Sequence, residues 1–377
     1  MSGPLTGVRV LELRGIGPLP FAGMLLSDLG ADVIRIDRVP DPAGPAHDPA
    51  EDAPGRGRRS VALNLKDPDA AETVRRMCER SDALMEGFRP GVAERLGVGP
   101  QDCLARNERL VYGRMTGWGQ DGPLARAAGH DINYIALAGV LHGIGRAGQP
   151  PVPPLNLIGD YGGGGLLLAF GLVCALLEAR VSGRGQVVDA AMVDGAALFT
   201  TALHELIARG SWSEDRGANL LDGGAPWYDS YETADGRYIA IGALEPRFYA
   251  ELTGLLGADL ARESMSAQTL HDRLASLFRQ RTQREWCDLL EGTDACFAPV
   301  LAPSEAPDHP HNAARRSYLE VDGIRQPAPA PRFSRTPGEV SRPAAHPGEH
   351  TRQVLMDLDF TAAEIDGLLD SGAAAQA

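Results

Sequence analysis

The N-terminal segment constrains the fold most, because strand and helix patterns alternate there over a short length. The apolar run VRVLEL at residues 8–13 predicts a buried strand, and the turn RGIGPLP follows it. A helical pattern then covers residues 21–29, and a second strand pattern, ADVIRID, ends at Asp37. A strand, a helix and a further strand in close succession are typical of a parallel α/β sheet. We therefore expect a Rossmann-like parallel-sheet α/β fold.

The same alternation continues along the chain. A helix is predicted over residues 70–80, and strands are predicted in DALMEGF and RLVYGRM. The turn GIGPLP resembles the glycine-rich turn of dinucleotide-binding folds, but Pro20 occupies the position of its third glycine. Pro18 also lacks the amide hydrogen that a pyrophosphate would use. This turn therefore does not predict a nicotinamide or flavin site.

The length of 377 residues exceeds the usual size of one hydrophobic core, so we expect two domains. Asp235 and Gly236 lie between two strand patterns and predict a hairpin in a smaller α+β domain. The predicted organisation is a large α/β domain at residues 1–188, a linker helix at 189–224, the small α+β domain at 225–320, and a return segment at 321–377 that completes the large domain.

The composition of the chain limits the kinds of partner that it is expected to bind. The chain has 36 Lys and Arg residues against 50 Asp and Glu residues, and this acidic balance disfavours nucleic acids and anionic membranes. Its five cysteines lack CxxC spacing, as expected in a reducing compartment. The sequence begins without a signal-peptide pattern, and its longest nearly continuous apolar run, residues 166–177, is too short to span a bilayer. We expect a cytoplasmic protein that binds neither nucleic acid nor membrane.

Basic residues cluster near predicted strands in the first part of this acidic chain. The set is Arg56, Arg58, Arg59, Lys66, Arg89 and Arg95. Ligands bind at the carboxyl ends of strands in α/β sheets, and cations placed there suit a phosphorylated ligand. The alternative is a solvated, charged surface.

The segment GHDINY is the first candidate for chemistry. His130 precedes a helical pattern, so its ring could cap the helix or pack in the core. Asp131 follows at once, and a carboxylate beside an imidazole can orient the ring and hold its pKa near neutrality, as a general base requires.

Asp160 is the second candidate, because it precedes Tyr161 and four consecutive glycines. Such a glycine run lets the backbone approach a ligand closely, and it could leave amides free at the start of the following helix. Free amides there would stabilise negative charge on an oxygen. The alternative is an aspartate that caps a tightly packed helix.

The remaining polar motifs give weaker evidence for a functional site. Glu245 precedes a proline-started helix and could be a plain N-terminal carboxylate. Cys296 has no neighbouring base in sequence, which favours a pocket wall over a nucleophile. His309 and His311 lack a third ligand nearby, so we expect no metal site. The sequence contains no GxSxG, P-loop or HExxH motif.

Several longer motifs together resemble a known family. They are GVRVLEL, RGRRSVALNLK, EGFRPGVAERLG, RLVYGRMTGWGQDGP, AGHDINYIAL, PPLNLIGDYGGGG, GRGQVVDAAMVDG, NLLDGGAPWYDSYETADGRY and GALEPRFY. On these motifs the chain resembles the alpha-methylacyl-CoA racemases, a branch of the family III CoA-transferases, over nearly its whole length. GHDINY, NLLDGGAP and GALEP resemble the racemase branch specifically. The chain departs from it at Asn64, where an aspartate is frequent, and at Trp227, where a smaller aromatic is expected.

The resemblance implies a racemase that interconverts (2R)- and (2S)-2-methylacyl-CoA thioesters by proton transfer through an enolate. It implies that His130 and Asp160 are the acid/base pair, with Asp131 and Glu245 as further catalytic groups. CoA is part of the substrate, so no separate cofactor is expected. The implied substrate and CoA contacts are Arg38, Leu63, Asn64, Leu65, Lys66, Arg89, Arg95, Gly129, Ile132, Asn133, Tyr134, Asn156, Tyr228 and Cys296.

The resemblance also implies an interlocked homodimer, in which the large domain of one subunit meets the small domain of the other. Glu245, Tyr228 and Cys296 would then reach the active site from the partner subunit. An alternative stays open: in a family III CoA-transferase, Asp160 would attack the thioester as a nucleophile. The histidine of GHDINY favours the racemase, because CoA transfer needs no second proton carrier there.

Overall fold

The computed structural model describes residues 2–40 and 48–377. The chain forms two compact units. The first comprises Met1–Ala138, Pro154–Thr200 and Arg316–Ala377, and the second comprises Gly139–Pro153 and Thr201–Arg315. Each unit therefore contains segments that are distant in sequence.

The strands are β1 (Arg9–Leu13), β2 (Asp32–Asp37), β3 (Arg59–Leu63), β4 (Ala83–Glu86), β5 (Val111–Thr116), β6 (Val187–Ala191), β7 (Tyr228–Glu232), β8 (Tyr238–Gly242), β9 (Phe297–Val300), β10 (Tyr318–Val321), β11 (Ile324–Pro327) and β12 (Ala374–Ala375). The helices are α1 (Pro18–Asp28), α2 (Pro68–Glu79), α3 (Val92–Arg95), α4 (Pro100–Leu104), α5 (Asp131–Leu137), α6 (Leu167–Ser182), α7 (Met192–Leu198), α8 (Thr201–Ala208), α9 (Pro246–Leu256), α10 (Ala267–Phe278), α11 (Gln283–Leu290), α12 (Pro310–Arg315), α13 (Thr351–Asp357) and α14 (Ala362–Asp370). A π-helix, Leu157–Leu166, leads directly into α6.

The first unit is built on a seven-stranded sheet with the order β12-β3-β2-β1-β4-β5-β6. Its strands pair in parallel except for β12, which is antiparallel to β3. Leu11 and Leu13 enter one apolar cluster, whereas Val10 enters another, so β1 is buried on both faces. Burial on both faces is typical of parallel sheets covered by helices. The predicted parallel α/β fold is confirmed.

The chain returns to this sheet at its C-terminal end. Thr361 caps α14, as its side chain accepts a hydrogen bond from the Glu364 amide. Beyond α14, β12 joins the edge of the sheet beside β3, and the Asn64 amide donates to the Ala373 carbonyl oxygen at 2.8 Å.

The segment predicted as a linker helix at 189–224 instead contains the end of β6 and two short helices, α7 and α8. The hydroxyl of Thr200 donates to the carbonyl oxygen of Ala197 at 2.7 Å between the two helices. Such local side-chain bonds compete with the backbone hydrogen bonds of a helix.

The second unit holds an antiparallel sheet of β7, β8 and β9. The predicted hairpin joins β7 to β8, with Gly236 at a positive φ of 72°. Its core packs Tyr231 against Phe278, and Phe278 against Trp286. An antiparallel sheet with helices on one side is typical of an α+β domain.

One helical segment differs from the sequence expectation in length. The π-helix and α6 form a continuous helix, Leu157–Ser182, of 26 residues that is long and apolar enough to cross a membrane. The sequence pattern predicted that the helix begins after the glycine run, but the structure keeps those glycines inside the helix. Leu168 and Leu172 of this segment are fully buried in the core of the first unit. A core helix of a globular protein satisfies the same length and composition criteria.

Candidate active site

The two candidate chemical segments meet in the first unit. Asp131 is the first residue of α5, and its Oδ2 accepts a hydrogen bond from the backbone amide of Asp160 at 2.7 Å. Asp160 lies within the π-helix, and its own Oδ2 accepts from the Asn156 side-chain amide at 3.1 Å. Asp131 is buried, so its carboxylate orders the backbone at Asp160 rather than facing solvent.

His130 stands immediately before α5 in an extended conformation. Its backbone amide donates to Oδ1 of Asn133 at 3.0 Å, which fixes the turn into the helix. The ring of His130 is exposed at a cavity of about 320 Å³ that Asp160 also lines. We call this space the His130 cavity. Arg89, Gly129 and Tyr134 lie in its wall too.

The electrostatics of the cavity centre on Asp160. Partial burial raises the pKa of its carboxyl group, and the neighbouring negative charge of Asp131 raises it further. The hydrogen bond from Asn156 and the closeness of His130 oppose this rise. Burial, together with Asp160, likewise raises the pKa of Tyr134, whereas Arg89 lowers it. A carboxyl group with a raised pKa, close to an imidazole, can exchange protons near neutral pH.

The glycine run after Tyr161 does not provide free amides, and this corrects the sequence expectation. Residues 162–165 lie inside the π-helix, where amides are already bonded to carbonyl groups five residues back. Added Cβ atoms would lie 2.7 Å from the Ala196 amide nitrogen at Gly163 and 2.5 Å from the Pro18 carbonyl oxygen at Gly165. The glycines therefore allow close packing of helices.

Sequence reasoning missed Gly17, which lies in the turn between β1 and α1. Its φ is 64°, and an added Cβ would lie 3.3 Å from Oδ2 of Asp160. Trp118 and Met192 also line the His130 cavity, and the Trp118 ring packs edge-on against Tyr134 at 4.8 Å between centroids. The paired glycines around Ile16 were the available signal for a close backbone approach.

A second cavity of the first unit, of about 660 Å³, gathers five of the fourteen predicted substrate and CoA contacts. Arg38, Leu63, Asn64, Leu65 and Lys66 all line it. We call this space the Lys66 cavity. The side chains of Arg38 and Lys66 are exposed, so their charges are available to an anionic ligand.

Other predicted contacts line neither the His130 cavity nor the Lys66 cavity. Arg95 is exposed at the end of α3 and lines neither the His130 cavity nor the Lys66 cavity. Ile132 is 41% exposed on α5 and is likewise not part of either wall. Asn133 accepts a hydrogen bond from the His130 amide, and Asn156 donates one to the Asp160 carboxylate.

Three arginines of the basic cluster are structural. Arg56 pairs with Asp28 at 2.5 Å, Arg58 with Glu12 at 3.0 Å, and Arg59 with Asp32 at 2.7 Å. These arginines are buried, so their charges are compensated within the protein. Burial and these ion pairs contradict the hypothesis that the three arginines bind a ligand. The sequence could not show this, because the acidic partners lie far away along the chain. Lys66 and Arg89 of that set line cavities.

The other predicted site residues belong to the second unit. Glu245 is exposed directly before α9. Tyr228 and Cys296 line a largely apolar cavity of about 790 Å³. Burial raises the pKa of the Cys296 thiol, and the nearby charge of Glu245 adds to this rise. Glu245 and Cys296 are therefore neighbours within this unit.

Within residues 2–40 and 48–377, no group of three or more His, Cys, Asp or Glu side chains is arranged to hold a metal ion. His309 instead contacts Glu291, with 2.8 Å between Nε2 and Oε1.

Comparison with known proteins decides the family. A model of CoA-transferase family III matches residues 5–351. The chain belongs to CoA-transferase family III. It is 46% identical to alpha-methylacyl-CoA racemase from Mus musculus over 369 residues, which cover 96% of this chain and 95% of the mouse protein. The Homo sapiens racemase is 44% identical over the same shares of the two chains.

Two solved structures share the fold. A hypothetical protein from Mycobacterium tuberculosis is 29% identical with a TM-score of 0.77, covering 94% of this chain and 99% of that one. A CAIB/BAIF family protein from Brucella suis has a TM-score of 0.80 at 24% identity, covering 95% of this chain and 100% of that one. The resemblance inferred from the sequence motifs is thereby confirmed at the level of the family.

Proposed function

We propose that this family III protein is an alpha-methylacyl-CoA racemase, which inverts the carbon next to the carbonyl of a 2-methylacyl-CoA thioester. The observation that carries the proposal is the His130 cavity, where an imidazole and a carboxyl group with a raised pKa line one space. The similarity to the mouse and human racemases over 96% of the chain supports the same reaction.

The reaction needs a base on one face of the substrate carbon and an acid on the other. The proton next to a thioester carbonyl is weakly acidic, so its removal leaves an enolate whose negative charge must be stabilised. In one direction the neutral imidazole of His130 removes the proton and the protonated Asp160 returns one from the opposite face. In the reverse direction the two residues exchange roles. The raised pKa of Asp160 helps it to carry a proton when it acts as the acid.

The substrate carrier fits the Lys66 cavity. The exposed charges of Arg38 and Lys66 suit the phosphates of CoA, while Leu63 and Leu65 supply apolar wall. Phe88 lines both this cavity and the His130 cavity, so the two spaces adjoin. This arrangement supports a CoA thioester as the substrate class.

The test is incubation of one 2-methylacyl-CoA epimer with the protein in deuterium oxide. We expect the other epimer to appear with deuterium at the inverted carbon. Transfer of CoA to a free acid, without deuterium uptake at that carbon, would instead identify a CoA-transferase that uses Asp160 as a nucleophile. A protein-free incubation and the double variant His130→Ala with Asp160→Asn serve as the controls for background exchange.

We further propose that the protein is a homodimer. Leu166, Phe170, Leu177 and Val181 are all more than half exposed, and their spacing places them on one face of the long helix Leu157–Ser182. A contiguous apolar surface of this kind marks an interface. The second copy of the chain is the partner we propose for it.

The homodimer is tested by light scattering of the wild type and of Phe170→Glu. We expect twice the chain mass for the wild type and a shift towards one chain for the variant. A monomeric wild type that partitions into lipid vesicles would assign this helix face to a membrane instead.

A further inference from the structure

The loop between β4 and α3, residues 87–91, borders the His130 cavity and the Lys66 cavity. Phe88 lines the His130 cavity and the Lys66 cavity, and Arg89 lines the His130 cavity. Val92, the first residue of α3, lines the Lys66 cavity. A movement of this short loop would therefore change the walls of both spaces together.

A buried carboxylate holds the start of the loop. Glu86 ends β4 and is fully buried, and its Oε2 accepts a hydrogen bond from the Phe88 amide at 2.6 Å. Its Oε1 accepts from Nε of Arg114 at 2.9 Å. Burial raises the pKa of Glu86 to about 7, against the opposing effects of the Phe88 amide and Arg114. The charge on this carboxylate therefore depends on the two contacts that fix the loop.

Arg114 extends the connection to the far end of the loop. Its Nη1 lies 2.9 Å from Oε1 of Glu94, which belongs to α3. Arg114 lies on β5, whose next two residues, Met115 and Thr116, line the His130 cavity. One guanidinium group thus joins the end of β4, the wall of the His130 cavity and the helix beyond the loop.

We propose that Glu86 and Arg114 are positioning residues that couple occupancy of the Lys66 cavity to the placement of Arg89 in the His130 cavity. The proposal rests on the proposed function, because it assigns the carrier to the first space and proton transfer to the second. Enzymes use binding energy from remote parts of a substrate to orient the reacting centre. Here the buried contacts of Glu86 and Arg114 supply a route by which binding of the carrier can orient the reacting centre.

The coupling is first tested by hydrogen exchange, independently of catalysis. Adenosine 3′,5′-bisphosphate serves as the probe, because it carries the charged end of CoA without the thioester arm. In the wild type we expect it to slow amide exchange both at residues 63–66 and in peptides covering residues 116–118 and 129–134. In Glu86→Gln the first effect stays and the second is lost. If the probe slowed exchange at residues 116–118 and 129–134 as much in Glu86→Gln as in the wild type, the proposal would be overturned.

Two variants keep this test interpretable. Glu86→Gln keeps the size of the side chain but cannot offer an acceptor oxygen to both Phe88 and Arg114. Arg114→Lys keeps the charge but loses the planar fork that reaches Glu86 and Glu94. Asp28→Asn is the matched control, since Asp28 is a buried carboxylate paired with Arg56 and lines neither cavity. In this control the probe should slow exchange at residues 116–118 and 129–134 as it does in the wild type.

The kinetic test compares a 2-methylacyl-CoA with the same acyl group on pantetheine. We expect the wild type to have a higher kcat on the CoA thioester, and both positioning variants to lose about ten- to a hundredfold of that advantage, as for misplacement of a reacting group by an ångström. An unchanged kcat ratio would show that the network is only structural. The wild type could show the coupled slowing of amide exchange and yet introduce no deuterium at the substrate carbon. That result would refute the racemase function and leave the coupling standing.

Discussion

The backbone amide of Asp160 donates a hydrogen bond to Oδ2 of Asp131, with 2.7 Å between the two heavy atoms. The other oxygen of Asp131 is buried and has no hydrogen-bond partner among the residues that the structure describes. The same carboxylate therefore orders the backbone of Asp160 and places a negative charge close to its side chain. Because like charges disfavour ionisation, the contact links local geometry to the pKa of the proposed acid.

Asp131→Asn should lower the pKa of Asp160. The asparagine can still accept the bond from the Asp160 amide, but the negative charge that raises the pKa is gone. Where Asp160 acts as the base, only its ionised form works, so the acidic limb of the kcat/KM profile follows its pKa. We expect this limb to move to lower pH. The measurement is the pH dependence of epimerisation in the direction that uses Asp160 as the base.

Asn156→Ala provides a counterpart of opposite sign. The Asn156 amide donates to Oδ2 of Asp160 and favours the ionised carboxylate, so its removal should raise the pKa. The acidic limb then moves to higher pH. If the two variants shifted the limb in the same direction, the assignment of this limb to Asp160 would be wrong.

Removal of His130 should separate exchange from inversion. A general base contributes about a hundred- to ten-thousandfold, so His130→Ala should lose epimerisation to that extent. Asp160 remains, however, and can still remove a proton from the epimer that faces it and return a deuteron to the same side. We therefore expect deuterium uptake into one epimer without inversion, measured by mass spectrometry after chiral separation. Uptake into both epimers at equal rates would contradict the division of roles.

Gly17→Ala should reduce activity more than a matched glycine change. The substitution places a Cβ 3.3 Å from Oδ2 of Asp160, at a φ of 64° that costs alanine about 1–2 kcal/mol. Gly210→Ala is the control, because Gly210 has a φ of 67° and open space around its added Cβ. Both variants should lose similar stability in thermal unfolding, and Gly17→Ala alone should lose kcat. Similar kcat values for the two would show that Gly17 matters only to the backbone.

The parallel α/β sheet could be predicted because buried strands carry apolar runs, and these are local properties of the chain. The pairing of His130 with Asp160 could be inferred only from resemblance, since they lie on separate helical segments. The role of the glycine run could not be predicted, because it depends on contacts with Pro18 and Ala196, which are distant in sequence. The same holds for Arg58, whose partner Glu12 lies 46 positions earlier.

Substitution of Arg58 should therefore affect stability, whereas substitution of Arg38 should affect substrate binding. Arg58 is fully buried against Glu12, and its loss leaves an unpaired buried carboxylate that costs about 3–5 kcal/mol. Arg58→Met should lower the unfolding temperature while the folded fraction keeps its KM. Arg38→Ala removes an exposed charge from the Lys66 cavity, so it should raise KM for the CoA thioester with little change in stability. Thermal unfolding and steady-state kinetics on both variants test this contrast. A raised KM in Arg58→Met, with unchanged stability, would restore that arginine to the ligand-binding set.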